Sequence, residues 1–151
     1  MDTPEQRRLG GDTVLGAHIS RARDLVRGME DQALSIGLQV IVENCVGRAT
    51  QLLEAAAAEG TAIAVLPELV TRGSATAMPL AALDELVHDG LLAIGDTNEA
   101  VRSALIALKQ AARAAVTAEM DACRQRIDRL GGPETALRLI TRSMLRRDQP
   151  E

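Results

Sequence analysis

The chain has 151 residues, of which 46% are hydrophobic and 25% charged, and it contains no Phe, Tyr or Trp. Without aromatic rings it has no stacking surface for bases or sugars, and its net charge of −4 argues against general binding to DNA or other polyanions. The length fits one domain, whose core must be built from Leu, Ile, Val, Ala and Met.

The N-terminal segment is polar up to two glycines, so we expect residues 1–11 to form a flexible tail. From Asp12, apolar residues recur at three- and four-residue steps, which predicts a helix over 12–29 with Asp12 or Thr13 as its cap. The N-terminus has no apolar signal core, and no apolar run reaches the ~18 residues needed to cross a bilayer. We therefore expect a cytoplasmic protein without a transmembrane segment.

The next segment fits two templates. As a helix over 31–59, it presents a long apolar stripe and ends at Gly60, the usual residue after a helix C-terminus. As a strand over 36–43, its apolar residues alternate with a period of two. The helix is favoured, because the stripe continues without a turn signal and a strand would run directly into a helix at Asn44.

The middle of the chain is harder to interpret. Residues 61–66 fit either a strand or a helical turn ended by Pro67. After a loop, Pro79 is suited to the first position of a short helix, which we predict over 79–89 and ending before Gly90.

The clearest element is a long helix over 97–130, which opens on the capping pattern at residues 96–99. At ~1.5 Å per residue it spans on the order of 50 Å, longer than a domain of this size usually buries alone. Its apolar stripe is therefore a candidate self-association surface. The residues of this stripe are Val101, Leu105, Leu108, Ala112, Val116, Met120, Ile127 and Leu130.

A last helix is predicted over 133–146, beginning at Pro133. The sequence thus predicts an all-α helical bundle, built on two long antiparallel helices with three shorter flanking helices. The expected organisation is a flexible tail, one helical domain and a second flexible tail, at residues 1–11, 12–147 and 148–151.

Arginines recur on the last helix. Arg138, Arg142 and Arg146 are spaced by four residues on one face and are joined by Arg147. They fit either a solvated face favoured near a helix C-terminus or a docking face for an acidic helix, an anionic surface or RNA phosphates. RNA is the least favoured of these partners because the chain lacks aromatic residues.

Residues 50–73, "TQLLEAAAAEGTAIAVLPELVTRG", resemble the nitrilase superfamily, in which a strand ending in Pro-Glu-Leu supplies the general base. That resemblance implies Glu68 as the base, together with a lysine and a nucleophilic cysteine from later strands. The only lysine, Lys109, and the only later cysteine, Cys123, fall on one predicted helix, ~20 Å apart along its axis. Groups so placed cannot share a substrate carbon with Glu68, so we disfavour this chemistry.

Residues 14–66 resemble the R-body, or killing-trait, proteins in "VLGAHISRA", "ALSIGL", "VENCV" and "QLLEAAAAEGTAIAVL". Proteins of that family are small, Ala-rich and helical, and they polymerise into coiled ribbons. The family's glutamine run and tyrosine are missing from this chain. The resemblance implies a structural role exercised through helix packing.

Ligand-binding motifs are scarce. His18 and His88 have no second histidine or cysteine at ligand spacing, and Cys45 and Cys123 form no CxxC pair. We expect two buried free thiols and no catalytic, cofactor-binding or metal-binding residues.

The predicted function is therefore non-enzymatic self-association or binding to a partner helix, as a homo-oligomer or with a helical protein. One alternative is an α/β enzyme or ligand-binding domain with strands at 36–43, 61–66 and 91–95 and Glu68 at a strand end. The other is an adaptor that uses the arginine face of the last helix.

Overall fold

The computed structural model describes residues 13–66 and 75–148, and nearly all of these residues are helical. The all-α prediction is confirmed, and no strand occurs in these two ranges. The alternative strands at 36–43, 61–66 and 91–95 are wrong, because their residues belong to helices or to a helix end. The helices are α1 Val14–Arg27, α2 Gln32–Val65, α3 Ala77–Ile94, α4 Glu99–Arg129 and α5 Pro133–Asp148.

Side-chain caps fix the starts of three helices. Thr13, Asp31 and Asn98 each accept a hydrogen bond from the backbone N–H three residues further on, at 2.9, 3.1 and 3.2 Å respectively. Each bond satisfies a donor that the first turn of a helix leaves unpaired. The predicted starts are therefore correct to within two residues.

Two glycines predicted to end helices lie inside them instead. α2 continues through Gly60 to Val65, and α3 continues through Gly90 to Ile94. Both glycines are buried where another helix comes close. A Cβ at Gly60 would lie 3.1 Å from the Cα of Met120 in α4. Glycine is thus used for close packing at these positions and not as a helix stop.

The long helices α2 and α4 pack side by side and run parallel. Near their starts, a Cβ built at Gly90 of α3 would lie 3.0 Å from the side chain of Leu105 and 3.8 Å from that of Leu38. Near their ends, the thiol of Cys123 donates to the carbonyl of Ala57 at 3.5 Å. The antiparallel prediction is therefore wrong, because α3 is long enough to return the chain to the end of the bundle where α2 began.

The shorter helices α1 and α3 run antiparallel to this pair, and each packs against both long helices. At one end of α1, the Ser35 hydroxyl donates to the carbonyl of Val26 at 2.7 Å. Arg23 also makes a bidentate ion pair with Glu43, at 2.7 and 2.8 Å. On the α3 side, Asp84 accepts from Arg113 at 2.6 Å. Polar contacts thus fix the positions of both flanking helices along the bundle.

The core between these four helices is built almost entirely from aliphatic side chains. Its small members Ala49, Ala56 and Ala112 are fully buried, which allows helix axes to approach closely. Burying one leucine or valine side chain contributes about 1.5–3 kcal/mol. The largest fully buried side chains are Leu38, Leu52, Leu83, Ile94, Leu105, Leu108, Val26, Val42, Val87 and Val101.

Helix α5 is attached to the end of the bundle after a turn at Gly131 and Gly132, whose φ angles are 101° and 99°. Its first turns pack in a small separate cluster in which Ala136 meets Val65 and Ile127. The side chains from position 141 to 145 are all exposed. Among the described side chains of α5, only those of its beginning are therefore held by the body of the protein.

Candidate interaction surfaces

The residues that a nitrilase-like site would require do not converge in the described part of the chain. Lys109 and Cys123 both lie on α4, fourteen residues or ~21 Å apart along its axis. The ammonium of Lys109 lies 3.8 Å from the carboxylate of Asp84, and Cys123 is buried. Glu68 lies outside the described residues.

Both thiols are free and buried. Burial raises the pKa of the Cys45 thiol to about 11, so this residue stays protonated at neutral pH. Cys123 accepts a hydrogen bond from the guanidinium of Arg126 at 3.0 Å.

Within residues 13–66 and 75–148, no group of three His, Cys, Asp or Glu side chains is placed to hold a metal ion. None of the helices in those ranges combines the length and the hydropathy that a bilayer-spanning segment requires.

The predicted self-association stripe of α4 is mostly covered by other helices of the same chain. Five of its members are buried: Val101, Leu105, Leu108, Ala112 and Ile127. Val116 and Met120 are half-buried, and only Leu130 is exposed. A second copy has little of this stripe to contact, so the surfaces open to a partner lie elsewhere.

The predicted arginine face lies on the exposed part of α5. Arg138 and Arg142 are exposed, and Arg138 makes only a 4.0 Å ion pair with Glu134. The side chains of Arg146 and Arg147 lie outside the described ones. Leu139 and Leu145 lie three residues on either side of Arg142, and they are 44% and 60% exposed. The face is therefore mixed, with leucines beside the arginines.

A second exposed apolar surface lies near the start of α2, and the sequence interpretation missed it. Ile36 and Val40 are 62% and 57% exposed, whereas Leu38 and Val42 are buried. These four residues form the alternating pattern that also fitted a strand. In a helix these four residues lie on two different faces, so Leu38 and Val42 enter the core while Ile36 and Val40 remain exposed.

A groove between α2 and α3 adjoins that surface and has a volume of about 470 Å³. Gly47 lies on the α2 side, and a Cβ built there would meet nothing within 4 Å. Glu85 and Asp89 line the α3 side and are exposed. No ion pair joins either carboxylate to another described residue. The groove is thus open, acidic along one wall and wide at the glycine.

A second groove, of about 450 Å³, lies where the ends of α2 and α4 meet the start of α5. Ile63 and Met120 give it an apolar surface, while Asp121, Arg124 and Asp128 line its edge. Arg124 is already 3.8 Å from Asp121 on its own helix. The described polar side chains that line this groove are all exposed, so burial fixes none of them in position to orient a small molecule.

Comparison with known proteins gives no match: no family model, no curated protein and no solved structure matches the chain. These comparisons do not test the resemblance of residues 14–66 to the R-body proteins, which stays a prediction.

Proposed function

We propose that the protein is a non-enzymatic helical subunit that associates with further copies of itself. The observation that carries this proposal is α5, a 16-residue helix whose first turns pack on the bundle while its side chains from position 141 to 145 are all exposed. Helices of this length are marginal in water unless an apolar face is packed. The exposed half of α5 therefore gains most from a partner that covers it.

The exposed side chains of α5 supply enough apolar surface for such an association. Met144 and Leu145 are each 60% exposed, and Leu139 is also exposed. Covering a side chain of this size fully contributes about 1.5–3 kcal/mol. Three such side chains, even partly covered, offset a substantial share of the entropic cost of association.

Glycines in α2 support the same proposal. A glycine in a helix interior costs about 1 kcal/mol relative to alanine. Close packing within the chain explains Gly60, as it explains Gly90 in α3, but a Cβ built at Gly37 or Gly47 would meet nothing within 4 Å. A helix from another copy would be able to pack against these two glycines as closely as α4 packs against Gly60.

An R-body-type subunit is the form of this function that the resemblance of residues 14–66 favours. Such a subunit needs surfaces that allow each copy to add to the next. The arginine adaptor is the second candidate, and it is favoured by the exposure of Arg138 and Arg142. It differs in requiring an acidic partner other than this chain.

Sedimentation velocity of the full chain tests the proposal. We expect the sedimentation coefficient to rise with concentration, and replacing Leu139 and Leu145 together by serine to weaken that rise. Val14→Ser is the control, because Val14 is an exposed apolar residue of α1, outside α5 and outside the groove between α2 and α3. A chain that remains monomeric at every concentration would contradict self-association. Equal effects of the α5 and Val14 variants would show that α5 is not part of the contact.

A further inference from the structure

We propose that the arginine face of α5 docks into the groove between α2 and α3 of a second copy, where Glu85 and Asp89 receive Arg138 and Arg142. This inference rests on the proposed self-association and names its two contacting surfaces.

Charge complementarity is the first argument. Glu85 and Asp89 are a like-charged pair four residues apart on α3, an arrangement that destabilises a helix when it has no counter-charge. Arg138 and Arg142 are spaced by the same four residues on α5. Four residues span ~6 Å on either helix, so two parallel or antiparallel helices can match both pairs at once.

The remaining charges of the groove do not cancel those of the α3 carboxylates. Glu43 makes its bidentate ion pair with Arg23, whereas the guanidinium of Arg48 donates only to the neutral amide of Gln51, at 3.0 Å. Among the described lining residues, the charges of Glu85 and Asp89 therefore outweigh the single positive charge of Arg48. A basic helix is the partner that this charge favours.

Shape supplies the second argument. Gly47 lies in the groove with nothing within 4 Å of the position of its missing Cβ. A docked helix can approach α2 there as closely as α4 approaches Gly60. Exposed Val40 is one helical turn away from Asn44 at the groove's edge, so it is placed to meet Leu139 or Leu145 of the incoming helix.

The arginines of the same chain cannot fill the groove. Ala136 of α5 packs in one cluster with Val65, and Gly47 lies 18 residues before Val65, or ~27 Å along α2. Arg142 lies six residues beyond Ala136, or ~9 Å along α5. The remaining gap exceeds the length of an arginine side chain, so the arginines must come from another copy.

Because the two surfaces differ, the contact is heterologous, and an open assembly keeps one free groove at one end and one free α5 at the other. Contacts of this kind close into rings or continue as filaments. The proposed docking therefore allows repeated addition of copies.

A charge-exchange experiment tests the proposal on the full chain by sedimentation velocity. The first variant carries Arg138→Glu and Arg142→Glu, and the second carries Glu85→Arg and Asp89→Arg. Each alone places like charges in the contact, and we expect its dissociation constant to rise at least about tenfold. An equimolar mixture restores opposite charges at every contact, so we expect co-assembly to return.

The control variant carries Arg21→Glu and Arg129→Glu, two exposed arginines outside the groove and outside α5. It has the same change in net charge as the first variant and should assemble like the native chain. Circular dichroism checks that every variant keeps its helix content.

The outcomes separate this inference from the proposed function. A native chain that stays monomeric contradicts both. Native assembly that survives Arg138→Glu with Arg142→Glu overturns the docking of α5 and leaves self-association standing. Loss of assembly in both variants without recovery in the mixture overturns the assignment of Glu85 and Asp89 as the receiving groups.

Discussion

Replacing Gly60 by alanine tests the close approach of α2 and α4. The new Cβ would lie 3.1 Å from the Cα of Met120 and 3.2 Å from both Cβ and Sγ of Cys123. Two of these three atoms belong to the backbone or the base of a side chain, so they cannot rotate away. The two helices must instead separate by a few tenths of an ångström.

The magnitude follows from two opposing effects. Overpacking of this kind costs about 1–3 kcal/mol. Replacing a glycine in a helix interior by alanine stabilises the helix by about 1 kcal/mol. We therefore expect Gly60→Ala to change the free energy of unfolding by between about zero and a loss of 2 kcal/mol.

Gly37→Ala is the matched control, because a Cβ at Gly37 meets nothing within 4 Å. It should raise the free energy of unfolding by about 0.5–1 kcal/mol. Urea unfolding followed by circular dichroism at low protein concentration measures both variants. If Gly60→Ala stabilises the protein as much as Gly37→Ala does, α2 and α4 are not in close contact at this point.

Three further predictions follow from single contacts. Asn98→Ala removes the cap on the N–H of Val101 and should lower the free energy of unfolding by about 1 kcal/mol, whereas Asn98→Asp, which keeps the acceptor, should not. The hydrogen-bonded guanidinium of Arg23 lowers the pKa of Glu43 in the folded state. The ion pair therefore stabilises the fold at pH values above the ordinary carboxyl pKa of 4.5, and this stabilisation is lost as the pH falls through the lowered pKa of the folded state. Glu43→Gln should thus cost about 0.2–1 kcal/mol at pH 7, and urea unfolding should show this difference vanish in acid. The thiol of Cys45, whose pKa is about 11, should react with a thiol reagent only after unfolding, and rapid reaction of the native protein would contradict its burial.

Helix positions were predictable because caps and apolar periodicity are local signals. Asp31 and Asn98 open their helices as hydrogen-bond acceptors, and Pro133 occupies the first position of α5. The ends of α2 and α3 were not predictable in this way. Gly60 and Gly90 resemble helix stops until a second helix explains them, and that helix lies elsewhere in the sequence.

The surfaces were only partly predictable for the same reason. The stripe from Val101 to Leu130 is a valid apolar periodicity, but periodicity does not say whether the helix that covers it belongs to the same chain. The exposed surface at Ile36 and Val40 was not predicted, because the apolar pattern of this segment fitted a strand as well as a helix. The arginine spacing on α5 was visible at once, while the exposed leucines beside it depend on how little of α5 the bundle holds.

Light scattering on the native chain tests self-association most directly. The monomer has a mass of 16.0 kDa. We expect the measured mass to rise above this value as the protein concentration increases and to fall again as salt is added, since salt screens exposed charge pairs. A constant mass of 16.0 kDa up to the highest attainable concentration would contradict the proposal that the exposed helix faces join copies of this protein.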